Sequence, residues 1–212
     1  MEMTLRASVK PSTKEIIMET AIELIEQKGY NGVSTKEIAQ AAGFSEMTLF
    51  RHFGTKQGLL DQAIVRNNYL VDMKETLFDS VSYNLREDLK RVSALYHEYN
   101  GRNAKLVLIA FQERHQHPQI GEAVSQNPKQ LKQYLIAYLN EMQDRGLVDA
   151  GICPETQTMN FLWMNLGYFL SQHIGGRVVA EVELADFIEQ SVDTFVHALT
   201  PCQPGELKGG PK

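Results

Sequence analysis

The chain has 212 residues and carries 21 lysines and arginines against 26 aspartates and glutamates, a formal charge of −5. That length allows one to two domains with a sizeable core, and 43% apolar with 22% charged residues is the composition of a folded chain and not of a disordered one. Two cysteines exclude a disulfide framework and fit reduced thiols in a cytoplasmic protein, while the longest apolar run, residues 106–111, is far short of the roughly 20 residues that span a bilayer. Residues 1–13 hold no apolar stretch and are not expected to act as a signal peptide.

The charge is unevenly spread. Residues 1–66 hold eight basic and eight acidic side chains, and the remainder holds 13 and 18. Between positions 39 and 56 the single acid, Glu46, faces Arg51, His52 and Lys56, and Arg6, Lys10 and Lys14 form a second basic group. A chain that is anionic as a whole can therefore still present a local basic surface.

In chain order the pattern is helix after helix. Ser12-Thr13-Lys14-Glu15 has the form of a capping box ahead of Ile16, Ile17, Ala21, Leu24 and Ile25, and Gly29 ends that helix. Ser34-Thr35-Lys36-Glu37 has the same form and opens a short helix with Ile38 and Ala41–Ala42 facing inward, stopped by Gly43. Ser45 can cap a third helix running to Phe53. Gly54-Thr55 begins a fourth, carrying Leu59, Leu60, Ala63, Ile64 and Tyr69 and fading near Ser80. Further helices are expected near 85–100, 103–116, 120–145, 154–174 and 182–199. The Pro/Gly-rich residues 201–212 have no core-forming pattern and are expected to be a disordered tail. The fold class is all-α, with about nine helices.

Residues 34–53 have the spacing of a helix-turn-helix. Ala39 is small where two helices cross, Gly43 supplies a positive φ in the turn, and Ile38, Ala42, Phe44 and Leu49 pack the pair together. The helix from Ser45 to Phe53 then turns Glu46, Met47, Thr48, Phe50, Arg51 and His52 outward, as a helix entering a phosphate-lined groove would.

The run from Ile38 to Leu60, IAQAAGFSEMTLFRHFGTKQGLL, with GYNGVSTKEIA before it, resembles the tetracycline-repressor (TetR) family over about residues 13–60. The resemblance implies a helix-turn-helix DNA-binding domain over 1–60 with a basic N-terminal arm. A helical ligand-binding and dimerisation domain would follow over 61–200. It implies phosphate contacts from Thr35, Lys36, His52 and Lys56, and base selection by Glu46 and Met47. Thr48 would touch phosphate or base, and Phe50 would pack on the backbone or a thymine methyl. Ser45 caps that helix, and Arg51 stands at a variable position. The family usually has Tyr where this chain has Phe50, so a hydroxyl-to-phosphate bond is missing there.

The resemblance also implies a dimer interface from the last two long helices, here including Phe169, His173, Phe187, Ser191 and Phe195. A small-molecule site is implied among the middle helices, where Tyr96, Phe111, His115, Tyr134, Tyr138, Met159 and Trp163 offer aromatic surface with a few polar tips. The implied function is a ligand-responsive repressor that binds a palindromic operator as a homodimer and releases it on binding a mostly apolar or aromatic effector.

The alternatives are a DNA-binding dimer with no effector, whose C-terminal domain serves only dimerisation or protein partners, and a helical enzyme of unrecognised type. The chain has no Glu-x-x-His, His-Glu-x-x-His, Walker, Gly-x-Gly-x-x-Gly or Gly-x-Ser-x-Gly motif, so no enzyme is expected. His115 and His117 read as a solvated helix end before Pro118 and not as metal ligands; no metal or cofactor is expected.

Overall fold

A computed structural model describes residues 10–66, 73–113, 115–174 and 181–201. It is all-helical, with no strand among the described residues. In chain order the helices are α1 (Thr13–Lys28), α2 (Thr35–Ala41), α3 (Glu46–Phe53), α4 (Lys56–Arg66), a π-helical turn (Glu75–Asp79), α5 (Leu85–Arg102), α6 (Ala104–Glu113), α7 (Pro118–Asp144), α8 (Pro154–His173) and α9 (Leu184–Leu199). Tyr69, Arg6, Cys202 and the expected tail beyond Pro201 lie outside the described residues.

The chain divides into two compact units, residues 1–67 with 105–124 and residues 68–104 with 125–212. The first takes in a stretch that the sequence reading placed in the C-terminal domain. Its core explains why. Ile17, Ala21 and Ile25 of α1, Ile38 of α2, Leu49 of α3 and Leu59 and Leu60 of α4 are wholly buried. Leu106, Ile109 and Ala110 of α6 and Ile120 of α7 belong to the same cluster. Three short helices of a helix-turn-helix enclose little apolar surface by themselves, and α6 enlarges that core.

Local signals set the ends of these helices. Ser12 and Glu15 form the expected capping box: the Glu15 amide donates to Ser12 Oγ at 3.3 Å, and the Ser12 amide donates to Glu15 Oε2 at 2.7 Å. Those hydrogen bonds, with Arg66 beside it, hold the Glu15 carboxyl below its usual range. The second box is only half made. Ser34 Oγ accepts from the Glu37 amide at 3.1 Å, but the Glu37 carboxylate turns to Lys28 Nζ at 2.5 Å. An ammonium is a stronger partner for a carboxylate than a neutral amide, and it also lowers the Glu37 pKa. Within α2 the buried pair is Ile38 and Ala39, while Ala41 is exposed and Ala42 half-buried. Ile38, Ala39 and Ala42 thus form the inner face of α2 as expected, and only Ala41 departs by facing outward.

In the second unit α5 packs against both α8 and α9. Leu89, Val92, Leu131, Leu135, Phe161 and Val192 are buried there. Arg86 pairs with Asp193, and Lys90 bridges Glu189 at 2.7 Å and Asp193 at 3.2 Å. Gln143 Nε2 donates to the carbonyls of Asp149 and Ile152, which fixes the turn into α8. Two buried polar groups connect distant segments. Asp88 accepts the Tyr138 hydroxyl at 2.9 Å, the Ser82 amide and hydroxyl, and Arg91. Asn165 Oδ1 accepts from Ser93 Oγ at 2.5 Å and from His97 Nε2 at 3.1 Å, and its amide donates to the Phe161 carbonyl. Among the described residues no helix is long and apolar enough to cross a membrane, and no cluster of His, Cys, Asp or Glu could hold a metal ion.

Candidate nucleic-acid interface

The site is built from α2, the turn and α3. Gly43 has φ +79° in that turn, a conformation that side-chain-bearing residues rarely adopt. Ser45 caps α3 by accepting the Thr48 amide at 3.1 Å, and its hydroxyl lies 2.9 Å from the Thr48 hydroxyl. The Thr35 hydroxyl donates to Glu46 Oε1 at 2.6 Å, which ties the start of α2 to the first turn of α3. Leu49 and Phe53 anchor the inner face of α3 in the core.

The outer face of α3 carries Met47, 77% exposed, Phe50, 43% exposed, and the exposed Arg51. Lys36 is exposed at the start of α2, while Thr35, Glu46, Thr48 and His52 are half-buried. The exposed Lys10 and Lys14 precede and open α1. The exposed side chains of α3 thus include two large apolar groups and one cation, with further exposed cations at the starts of α1 and α2.

Lys56 is placed otherwise than a free phosphate contact would be. Its ammonium donates to the carbonyls of Tyr30 at 2.5 Å and Val33 at 2.7 Å and sits 4.0 Å from the Tyr30 ring centroid. Burial holds its pKa below the usual lysine value, an effect Glu113 opposes. Lys56 therefore fastens α4 to the loop between α1 and α2. Glu113, buried at the end of α6, holds the other side of that loop: its Oε1 accepts the Tyr30 amide at 2.8 Å. Asn31 donates to Gln116 Oε1 at 3.0 Å and accepts from His117 Nε2 at 3.1 Å, and the His117 ring meets Tyr30 edge-on at 4.4 Å. No motif marks this clamp in the sequence, where Glu113 lies 83 positions from Tyr30.

The seven effector candidates fall in different surroundings. Phe111, 41% exposed, and His115, exposed, belong to the first unit. In the second, Tyr96 and Tyr138 are buried, and burial pushes the Tyr96 hydroxyl up to about 12. Tyr134 is half-buried with its ring edge-on to Phe78 at 5.7 Å, Met159 is half-buried, and Trp163 is 59% exposed. Of the interface candidates, Phe169 and Phe187 are buried within the protomer. His173 stacks on Phe169 at 4.3 Å, and Tyr168 stacks on Phe187 at 4.2 Å. Ser191 and Phe195 are half-buried, with Phe195 5.6 Å from the Phe161 ring.

Comparison with known proteins agrees with this architecture. The profile of the family described as bacterial regulatory proteins, tetR family, matches residues 17–63. The uncharacterized HTH-type transcriptional regulator YvkB of Bacillus subtilis is 28% identical over 91% of this chain and 99% of its own length. Among solved structures, the TetR family transcriptional regulator PfmR of Thermus thermophilus superposes with a TM-score of 0.68 at 20% identity, covering 85% of this chain and 97% of that one. GusR of Salmonella enterica gives 0.64 at 22% identity, covering 92% and 99%. YvkB and PfmR are both described as transcriptional regulators, and the helical-enzyme reading is set aside with them. Residues 17–63 are thus those of a tetR-family helix-turn-helix DNA-binding region, and over most of its length the chain is similar to an HTH-type transcriptional regulator.

Proposed function

We propose that the protein is a cytoplasmic, ligand-responsive repressor. It binds a palindromic operator as a homodimer and lets go when a small, mostly apolar or aromatic molecule binds the second unit. Residues 1–60, with the basic arm, form the DNA reader. Residues 61–200 carry the sensor and dimer functions, and 105–124 also complete the reader's core.

The observation that carries the homodimer is the exposure of large apolar side chains on and beside α8 and α9. Trp163 is 59% exposed, Ile174 65% and Leu184 37%, and the half-buried Ile188, Ser191 and Phe195 follow Leu184 at helical spacing. An indole left this open on a long helix costs hydration free energy that a second copy would recover. Two copies double the phosphate contacts from Lys36, Arg51 and the arm, and set two recognition helices about 34–36 Å or a multiple apart. Of the effector candidates in the second unit, the half-buried Tyr134 and Met159 and the exposed Trp163 have accessible surface, and all three are apolar or aromatic. That favours an apolar or aromatic effector.

Sedimentation at micromolar concentration followed by operator release tests the reading. A dimer whose complex dissociates on adding one class of hydrophobic compounds supports it. A dimer that no compound releases would leave the effector-free DNA-binding factor, and a monomer would remove the palindrome.

A further inference from the structure

The loop between α1 and α2 carries Asn31 followed by Gly32 in a turn, and both are exposed. In that order the side-chain amide carbon and the next residue's main-chain nitrogen can close a cyclic imide, and glycine obstructs the closure least because it has no side chain. The Gly32 amide has no hydrogen-bond partner among the described residues, so its nitrogen is free to react. The fold also holds that glycine in place: a Cβ on it would collide with the carbonyl oxygen of Lys28 at the end of α1. The same pair occurs at Asn100-Gly101, but inside α5, where main-chain amides are engaged one turn back.

Asn31 is restrained by its side chain. Its Nδ2 donates to Gln116 Oε1 at 3.0 Å, and its Oδ1 accepts from His117 Nε2 at 3.1 Å. Gln119 Nε2 lies 3.5 Å from His117 Nδ1, which leaves the ring proton on Nε2. The amide group is thus turned to the residues between α6 and α7, and must leave both partners to fold back on its own main chain.

We propose that Asn31 is a deamidation site, guarded by Gln116 and His117, whose reaction disables the DNA reader. When the two bonds open, the Gly32 nitrogen attacks Asn31 Cγ and gives up its proton. The Cγ–Nδ2 bond breaks and Nδ2 leaves as ammonia. Water then opens the imide at Cγ to give aspartate, or at the main-chain carbonyl to give isoaspartate. Aspartate loses the donor to Gln116. Isoaspartate adds a methylene to the main chain between Tyr30 and Val33, whose carbonyls Lys56 grips, and so displaces the start of α2. The consequence for DNA rests on the reading of residues 1–60 as the DNA reader; the chemistry at Asn31 does not.

The test holds the full-length protein in warm, mildly alkaline buffer and samples it over days. Peptide mass spectrometry reads the amide-to-acid change at position 31, and an isoaspartate-specific methyltransferase reads the rearranged product. Binding to a duplex that the fresh protein selects from random DNA is measured on the same samples at fixed salt. Position 31 should convert while Asn100 stays intact, and DNA binding should fall in step with isoaspartate. His117→Ala and Gln116→Ala each remove one guarding bond and should speed conversion about fivefold. Asn31→Gln, whose longer side chain closes a ring far more slowly, should hold its own starting affinity over the same period. The proposal is overturned if position 31 converts no faster than Asn100, if neither alanine variant converts faster than wild type, or if wild type loses binding no faster than Asn31→Gln. Fresh protein that selects no duplex would overturn the DNA-binding reading alone, since conversion at position 31 is read without DNA.

Discussion

Replacing Glu113 by alanine removes one side of the clamp on the loop between α1 and α2. Its carboxylate accepts the buried Tyr30 amide at 2.8 Å and lies close to Gly29, so that nothing of comparable polarity replaces it. Hydrogen bonds to charged groups contribute about 1.5–3 kcal/mol, and an orphaned buried donor costs a similar amount, so we expect a local loss of about 2 kcal/mol. In hydrogen exchange that corresponds to roughly 30-fold faster exchange at the Tyr30 amide. Glu113→Gln keeps an acceptor and the volume and should lose less. Lys56 keeps its two carbonyl partners in both variants, so the loop opens at the α6 side first. Operator affinity should fall with the loss of protection, although Glu113 is on no DNA-facing surface. A Tyr30 amide equally protected in wild type and Glu113→Ala would refute the clamp.

Three further outcomes follow from named groups. Lys56→Ala should weaken operator and non-operator DNA by the same factor and lower the melting temperature, because it frees the Tyr30 and Val33 carbonyls; loss of specificity alone would contradict this placement. Burial, among Tyr96, Tyr168 and Phe187, pushes His97 down to about 4, with the Asn165 bond acting the other way and His173 lowering it further. The unfolded chain therefore takes up a proton from about pH 6.5 while the folded chain stays neutral. Stability is present above pH 6.5 and falls as pH drops toward 4, by about 3 kcal/mol from this group. Calorimetry of His97→Gln should show a flatter pH dependence in that window. The chain holds one tryptophan, so the emission of Trp163 should shift to the red as the protein is diluted below its dimer dissociation constant, and Trp163→Glu should sediment as a monomer.

What could be read in the sequence was local. The Ser12 box, the Gly43 turn and the Ser45 cap rest on contacts a few positions apart, and each occupies its expected place. The departures have long-range causes. Glu37 left its own cap for Lys28, nine positions back, and Ala41, expected to face inward, is exposed on α2. The apolar run 106–111 was plain as a run, but its periodicity could not say which core it joins. It packs on the helix-turn-helix. Lys56 illustrates the same limit at the site: family position suggested a phosphate contact, whereas its ammonium is engaged by two carbonyls that no spacing rule connects to it. The polar link of Ser93 and His97 to Asn165 went unseen because α5 and α8 meet only in the folded chain.

The central claim, a two-fold reader of DNA, is tested most directly by selecting random double-stranded DNA with the purified full-length protein at fixed salt and sequencing the bound pool. The account predicts an enriched inverted repeat whose half-site centres are one helical turn, or a multiple of it, apart, bound by two protomers. An enriched single half-site bound by one protomer, or no enrichment at all, would contradict it.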